Sequence, residues 1–362
     1  MPLTDTAPRF HWLEVAEARR ETADAISVTF VIPEALKRHF GFRAGQYLTL
    51  RTTLAGEEVR RSYSICSGVD DGEIRIAIKR VEGGVFSVWA QEALSPGVRV
   101  EVMTPTGRFG VPALGAAGRV HVGFAAGSGI TPVLSIMKTV LAREAGSRFF
   151  LFYGSRATGE ILFRGALEDL KDRYLGRMSV FHVLSQERQD VAVLNGRLDQ
   201  EKLALLLDRM LGGVEIDAAY VCGPFGMIDA VEAALAGRGV PAERVHVERF
   251  NSALSGRPRV RATTPADAPA HAMASIILDG TRTEVPVAEG EAVLDAALRA
   301  GLDLPFSCKG GMCSTCRAKL VEGSAEMTVN YSLEPWEMRA GFVLTCQARP
   351  TSPRVVVDYD QQ

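Results

Sequence analysis

The chain is short of cysteine, of net charge and of long apolar runs. Only six cysteines occur in 362 residues. The formal charge of −2 offers no basic field to nucleic acid. No run of about 18 apolar residues is present, so nothing reads as a membrane span. The amino terminus, MPLTDTAPRFHWLEV, lacks the basic start and apolar stretch of a secretory signal. These absences point to the cytoplasm, where structural disulfides are rare, so clustered cysteines read as metal ligands rather than crosslinks. No internal repeat is visible, and the length predicts two or three domains.

Three rhythms follow along the chain. Residues 1–112 read as short strands, among them AISVTFVI, QYLTLRTTL, EVRRSYSICS and EIRIAIKRV, with Gly, Pro or Asp between them. Alternation of this kind predicts an antiparallel β-barrel or sandwich. Residues 113–251 alternate buried-strand runs such as RVHVGFAAG and RFFLFYGS with helical stretches such as PVLSIMKTVLAREAG. That order predicts a parallel α/β sheet. Residues 252–272 are rich in Ala, Pro, Ser and Thr and read as a linker. From 273 to 362 a small α+β domain is expected, with a hairpin, a helix and then a glycine-rich loop holding three of the six cysteines.

That loop, FSCKGGMCSTC, places Cys308, Cys313 and Cys316 in nine positions, and Cys346 follows in FVLTCQA. C-x4-C-x2-C with a distant fourth cysteine is plant-type [2Fe–2S] spacing. Two bridged irons need four thiolates around a compact centre, and a tight loop can supply three. Gly310 and Gly311 are expected to allow unusual dihedrals there. A four-cysteine zinc site is the alternative, but zinc sites more usually pair two short C-x2-C knuckles.

RSYS (Arg61, Ser62, Tyr63, Ser64) and AIKRVEGGVFS, containing Ile78, Lys79, Gly83, Gly84 and Ser87, lie on the strand-rich segment. AAGSGITP, with Gly127, Gly129 and Thr131, follows a strand and opens a helix, as a pyrophosphate-binding turn does. By itself each could be an ordinary strand or turn. Together with YGSR, CGP and HVERF they resemble the ferredoxin–NADP reductase superfamily, and residues 273–362 resemble its fused plant-type ferredoxin domain, a β-grasp fold. The resemblance implies FAD held by Arg61, Ser62, Tyr63, Ser64, Ile78, Lys79, Gly83, Gly84 and Ser87. It implies a dinucleotide with its pyrophosphate at the turn of Gly127, Gly129 and Thr131 and its nicotinamide near Cys222, Gly223 and Pro224, with Glu248 and Phe250 reaching back to the flavin. Ser64, Cys222 and Glu248 are the candidate catalytic residues. An Arg at the end of the second strand suits a 2′-phosphate, whereas an acid there binds a free ribose. Ser155, Arg156 and, further on, Arg164 therefore suggest NADPH before NADH.

Over the whole chain the likeness is strongest to the reductases of phenylacetyl-CoA epoxidase systems. GEEVRRSYSIC, LPFSCKGGMCSTC and NYSLEPWEMRAGFVLTCQA carry it. It implies electron flow from NADPH through FAD and [2Fe–2S] to a di-iron oxygenase in phenylacetate degradation. The chain has no paired Glu-x-x-His motif of its own for a di-iron site. A reductase of the same build for another oxygenase, a ketosteroid 9α-hydroxylase or a ring-hydroxylating dioxygenase, is the alternative. A non-enzymatic iron–sulfur sensor is a further one, against which the nucleotide motifs count.

Overall fold

Strand alternation in the first segment resolves into a closed sheet. A computed structural model of the chain describes residues 8–110, 117–250 and 269–361. β1 (Phe10–Thr22), β2 (Ala25–Val31), β3 (Tyr47–Leu54), β4 (Glu57–Ser64), β5 (Ile74–Lys79) and β6 (Arg99–Met103) form one sheet in the order β4-β3-β6-β1-β2-β5. Every pairing is antiparallel. A bridge between Ile65 and Ile76 joins the two outer strands and closes the barrel. The inward residues Leu13, Val28, Leu48, Leu50, Ile76 and Val102 fill it, and α1 (Val85–Ala93) adds Phe86 and Ala90 to the same core.

The second segment is a five-stranded parallel sheet. Its elements are β7 (Val120–Ala126), α2 (Ile130–Arg143), β8 (Arg148–Ser155), α3 (Arg164–Arg173), β9 (Met178–Leu184), α4 (Gln200–Leu211), β10 (Ala218–Gly223), α5 (Phe225–Gly237) and β11 (Val245–Arg249). The order is β11-β10-β7-β8-β9, so the chain reverses its progression beside β7. Ligands bind open α/β sheets at such a switch point, outside the carboxyl ends of the strands. α2 and α3 cover one face of the sheet, and α4 and α5 the other.

α2 also belongs to the barrel. Its Ile130, Val133, Leu134, Ile136, Met137 and Val140 share one apolar cluster with Ala25, Ala44, Cys66, Ala77 and Phe109 of the first segment. At about 1.5–3 kcal/mol for each fully buried side chain, this seam fixes the two units together. Ser135 Oγ donates to Ser67 O at 2.6 Å, and Lys138 pairs with Asp71 at 2.7 Å. Cys66 is part of this seam.

The third unit has a mixed sheet in the order β13-β12-β18-β14-β16. It comprises β12 (Ala270–Leu278), β13 (Thr281–Ala288), α6 (Val293–Arg299), β14 (Arg317–Glu322), β15 (Ala325–Met327), α7 (Pro335–Arg339), β16 (Phe342–Leu344), β17 (Ala348–Pro350) and β18 (Arg354–Asp358). β12 and β18 run parallel and the helix α6 packs on the core, the β-grasp plan. The linker expected over 252–272 falls up to residue 268 outside the described residues, and β12 begins at Ala270, inside that stretch. No helix among the described residues is long and apolar enough to cross a membrane.

Candidate active site

β4 pairs with β3 along one edge only, which leaves its other edge to face a cleft of about 3150 Å³. Arg61, Ser62, Tyr63 and Ser64 line that cleft, as do Lys79 and Gly83 from the end of β5 and the loop beyond it. The Tyr63 ring is set by Phe86, 5.8 Å away between centroids. Three sequence-predicted flavin residues lie elsewhere. Ile78 is fully buried among the barrel residues, because it is an inward position of β5. Ser87 Oγ accepts from Val81 N at 3.1 Å and donates to Gly84 O at 3.4 Å, so the hydroxyl braces the loop from inside. Gly84 is the N-cap of α1 and borders a smaller neighbouring hollow. The Ser62 hydroxyl is engaged with Thr49 at 2.9 Å.

The same cleft runs across the sheet switch point, past Gly127, Gly129 and Thr131 on one side and Gly223 and Pro224 on the other. Gly129 has to be glycine: a Cβ there would stand 2.1 Å from the carbonyl oxygen of Cys222. This contact brings the ends of β7 and β10 together and leaves the start of α2 open to an anion. Thr131 Oγ1 donates to Ser128 O at 2.9 Å and fixes the turn. Tyr153 OH donates to Gly127 O at 3.0 Å. Ser155 lines the cleft with a buried Oγ that has no hydrogen-bond partner among the described residues. Arg156 is exposed on the cleft, paired with Glu160 and 3.7 Å from Asp24 of the barrel. Arg164 lies away from the lining and pairs with Glu168 one helical turn on, at 2.9 Å. Arg197, which the motifs did not flag, does line the cleft.

Glu248 stands beside Cys222 in the sheet register, and its Oε2 accepts from Ser64 Oγ at 3.4 Å. The contact joins the barrel to the last strand of the α/β unit. Burial pushes the Glu248 carboxyl up to about 8, against the opposing pull of the Ser64 hydroxyl. Phe250 lines the cleft as well. Cys222 departs from the catalytic expectation. Its side chain is fully buried away from the cleft, and desolvation raises the thiol well above its ordinary range. A thiol held protonated in an apolar core packs rather than reacts.

The cysteine loop forms the far wall, where Cys308, Cys313 and Cys346 line the same cleft. Positive φ falls on Gly311 (76°) and, without glycine, on Lys309 (49°) and Ser314 (50°). Gly310 is not at positive φ, and its N–H points to Cys308 Sγ at 3.2 Å. Cys308 N–H and Thr315 Oγ1 point to Cys313 Sγ at 3.4 and 3.2 Å, and Gln347 Nε2 to Cys346 Sγ at 3.4 Å. The Cys313 thiol and the N–H groups of Gly310, Met312 and Cys313 draw Cys308 down to about 6. The thiols interact as two pairs, Cys308 with Cys313 and Cys316 with Cys346. Two thiol pairs with donors already aimed at sulfur fit a two-iron cluster.

This third unit is docked on β4. The Arg60 side chain, 3% exposed, donates to Asp303 Oδ1 at 2.8 Å and Leu304 O at 3.1 Å, with its guanidinium 3.9 Å from the centre of the Phe306 ring. Arg108 of the barrel pairs with Glu337 at 2.6 Å.

Comparison with known proteins agrees with the three units. Residues 13–110 match an oxidoreductase FAD-binding domain, 124–233 an oxidoreductase NAD-binding domain and 276–351 a 2Fe-2S iron–sulfur cluster binding domain. The chain is 44% identical over 353 residues to one of the subunits of the 1,2-phenylacetyl-CoA epoxidase of Escherichia coli, covering 97% of this chain and 98% of that protein. It is 34% identical to the ferredoxin reductase component of 3-ketosteroid-9-alpha-monooxygenase of Mycobacterium tuberculosis, covering 96% of each. It is 29% identical to the reductase component of the glycine betaine monooxygenase of Pseudomonas aeruginosa, covering 96% and 95%. Among solved structures, a phthalate dioxygenase reductase shares the fold, with a TM-score of 0.57 and 24% identity over 96% of this chain and 98% of that one.

Proposed function

The chain belongs to the family of oxygenase reductases that join an FAD-binding, an NAD-binding and a 2Fe–2S domain, and we propose that its acceptor is a di-iron oxygenase that epoxidises phenylacetyl-CoA. As an oxidoreductase of this build it carries electrons from NAD(P)H by way of FAD and a [2Fe–2S] cluster to an oxygenase component. The choice of acceptor rests on the 44% identity to the epoxidase protein along the full length, against 34% to the ketosteroid reductase.

Flavin, when bound, converts a two-electron hydride into single electrons. The chain's own residues do the rest. In our reading Arg61 supplies countercharge, Tyr63 stacks against the flavin ring, and Ser64 holds its reactive edge. The Gly83 turn takes the flavin pyrophosphate. Gly127 and Gly129, with the start of α2, take that of the dinucleotide. Glu248, neutral at pH 7 with its carboxyl pushed up to about 8, keeps a proton at Oε beside Ser64 without placing a bare charge in the cleft. Phe250 shields that edge from water. Cys308, Cys313, Cys316 and Cys346 hold the cluster.

NADPH is the donor we assign. The last residues of β8 carry no acid, and Arg156 stands on the cleft there beside its partner Glu160, with Arg197 on the lining beyond β9. Arg156→Ala should raise the KM for NADPH about tenfold, the loss of one charge-assisted contact of about 1.5 kcal/mol, and leave that for NADH unchanged. Unpaired thiols suit a reducing compartment, so we place the protein in the cytoplasm.

The deciding experiment measures NADPH oxidation with the purified di-iron oxygenase, with and without phenylacetyl-CoA. Consumption should rise with phenylacetyl-CoA and yield its epoxide. Reduction of dyes without coupling to that oxygenase would discard this acceptor and point to another oxygenase of the kind the ketosteroid and glycine betaine reductases serve.

A further inference from the structure

Tyr47 stands where the flavin strands meet the cluster loop. It opens β3, pairs with Ser64 across the sheet, and lines the cleft. Its side chain is nonetheless 4% exposed, because the docked third unit covers its tip. There Tyr47 Oη donates to the carbonyl oxygen of Cys313 and lies 2.9 Å from Thr315 Oγ1. Thr315 Oγ1 in turn stands 3.2 Å from Cys313 Sγ.

Counting hydrogens makes these contacts informative. Tyr47 and Thr315 each own one hydroxyl hydrogen. The Cys313 carbonyl and a ligand thiolate only accept. With the Tyr47 hydrogen on the carbonyl, the Thr315 hydrogen has two acceptors, Tyr47 Oη and Cys313 Sγ, and cannot serve both fully. If the third unit leaves, Tyr47 stays behind with the barrel, and the sulfur becomes the sole acceptor that Thr315 keeps among these contacts.

We propose that Tyr47 is a positioning residue that couples docking of the ferredoxin domain to the potential of its cluster. Docked, it grips the Cys313 carbonyl and shares the Thr315 hydrogen with the Cys313 sulfur. Undocked, that hydrogen serves the sulfur alone. A donor on a ligand sulfur favours the more negative, reduced cluster, and hydrogen bonds of this kind tune its potential. The cluster therefore holds an electron more tightly after the domain leaves the flavin, which opposes back-transfer. One electron passes from the NAD(P)H-reduced flavin to the oxidised cluster, and neither hydroxyl gains or loses a proton. The inference rests on the reading that the four cysteines hold [2Fe–2S].

The test is a redox titration of the cluster, followed by electron paramagnetic resonance, in the full-length holoprotein and its variants. Tyr47→Phe should shift the midpoint to a more positive value, and Thr315→Val to a more negative one. The double variant should match Thr315→Val alone. Arg60→Ala, which loosens docking from a second point, should also shift the midpoint upward, and only while Thr315 is present. It carries the test if Tyr47→Phe does not take up its cluster. An unmoved midpoint, or equal shifts with and without Thr315, overturns the proposal while leaving the cluster assignment standing. Absence of a two-iron signal from the reduced unmodified protein overturns both.

Discussion

The flavin barrel meets its two neighbours through unlike surfaces. Against the α/β unit it shares an apolar core, in which α2 buries Ile130, Leu134 and Met137 with Ala25, Cys66 and Phe109. Against the ferredoxin unit the named contacts are mostly charged or polar: Arg60 and Arg51 to Asp303, Arg9 to Asp279, Arg108 to Glu337, and Tyr47 to Cys313. Apolar burial adds up with area and is indifferent to salt. Ion pairs with an exposed partner, such as Asp303 at 66% exposure, contribute little each and are screened by salt. The first seam holds the FAD-binding and NAD-binding domains in one geometry. The second orients the cluster at small cost and separates at small cost.

The changes with the largest expected effects bear on whether the two seams are independent. Cys346→Ser should remove the cluster and all electron output to the oxygenase, while NADPH still bleaches the flavin. Stopped-flow absorbance separates the two, and cluster reduction surviving the change would reassign the fourth ligand. Leu134→Ala in the apolar seam should cost about 2–5 kcal/mol, as buried leucine truncations do. The loss should appear in the unfolding midpoint of the flavin and nucleotide units. Arg60→Ala in the polar seam should leave that midpoint nearly unmoved and slow flavin-to-cluster transfer by up to ~100-fold, the scale of a misplaced reacting pair. A loss of stability equal to that of Leu134→Ala would mean the seams are of one kind.

A further test concerns Glu248. Its carboxyl is pushed up by burial to about 8 from an ordinary value of 4.5. The folded state therefore binds the extra proton between those values, and stability falls as pH rises from 4.5 through 8. Melting temperatures of flavin-depleted protein across that window should decline, and Glu248→Gln should flatten the decline. An identical slope in the variant would place the titration elsewhere.

Features written within a few residues were legible from the chain alone. The four-cysteine spacing, the G-x-G turn before α2, and the change from strand alternation to strand–helix alternation each follow from local geometry, and the change of rhythm stands in the structure. Side-chain direction was less legible. Ser87 and Ile78 sit in matching motifs, yet one hydroxyl turns into its own loop and the other side chain into the barrel, because loop closure and strand parity decide direction. Cys222 lies beside the nucleotide turn in the motif and under it in space, since the Gly129 contact is made by its carbonyl.

Local patterns in the chain were thus enough to set which cofactor-binding units occur and in what order. Their signals are short-range and repeat wherever the chemistry is the same. How the units address one another came only with the folded arrangement. Ser64 and Glu248 lie 184 residues apart, and Tyr47 and Cys313 lie 266 apart. No local pattern encodes such pairs, because they form only when separately folded surfaces are brought into contact.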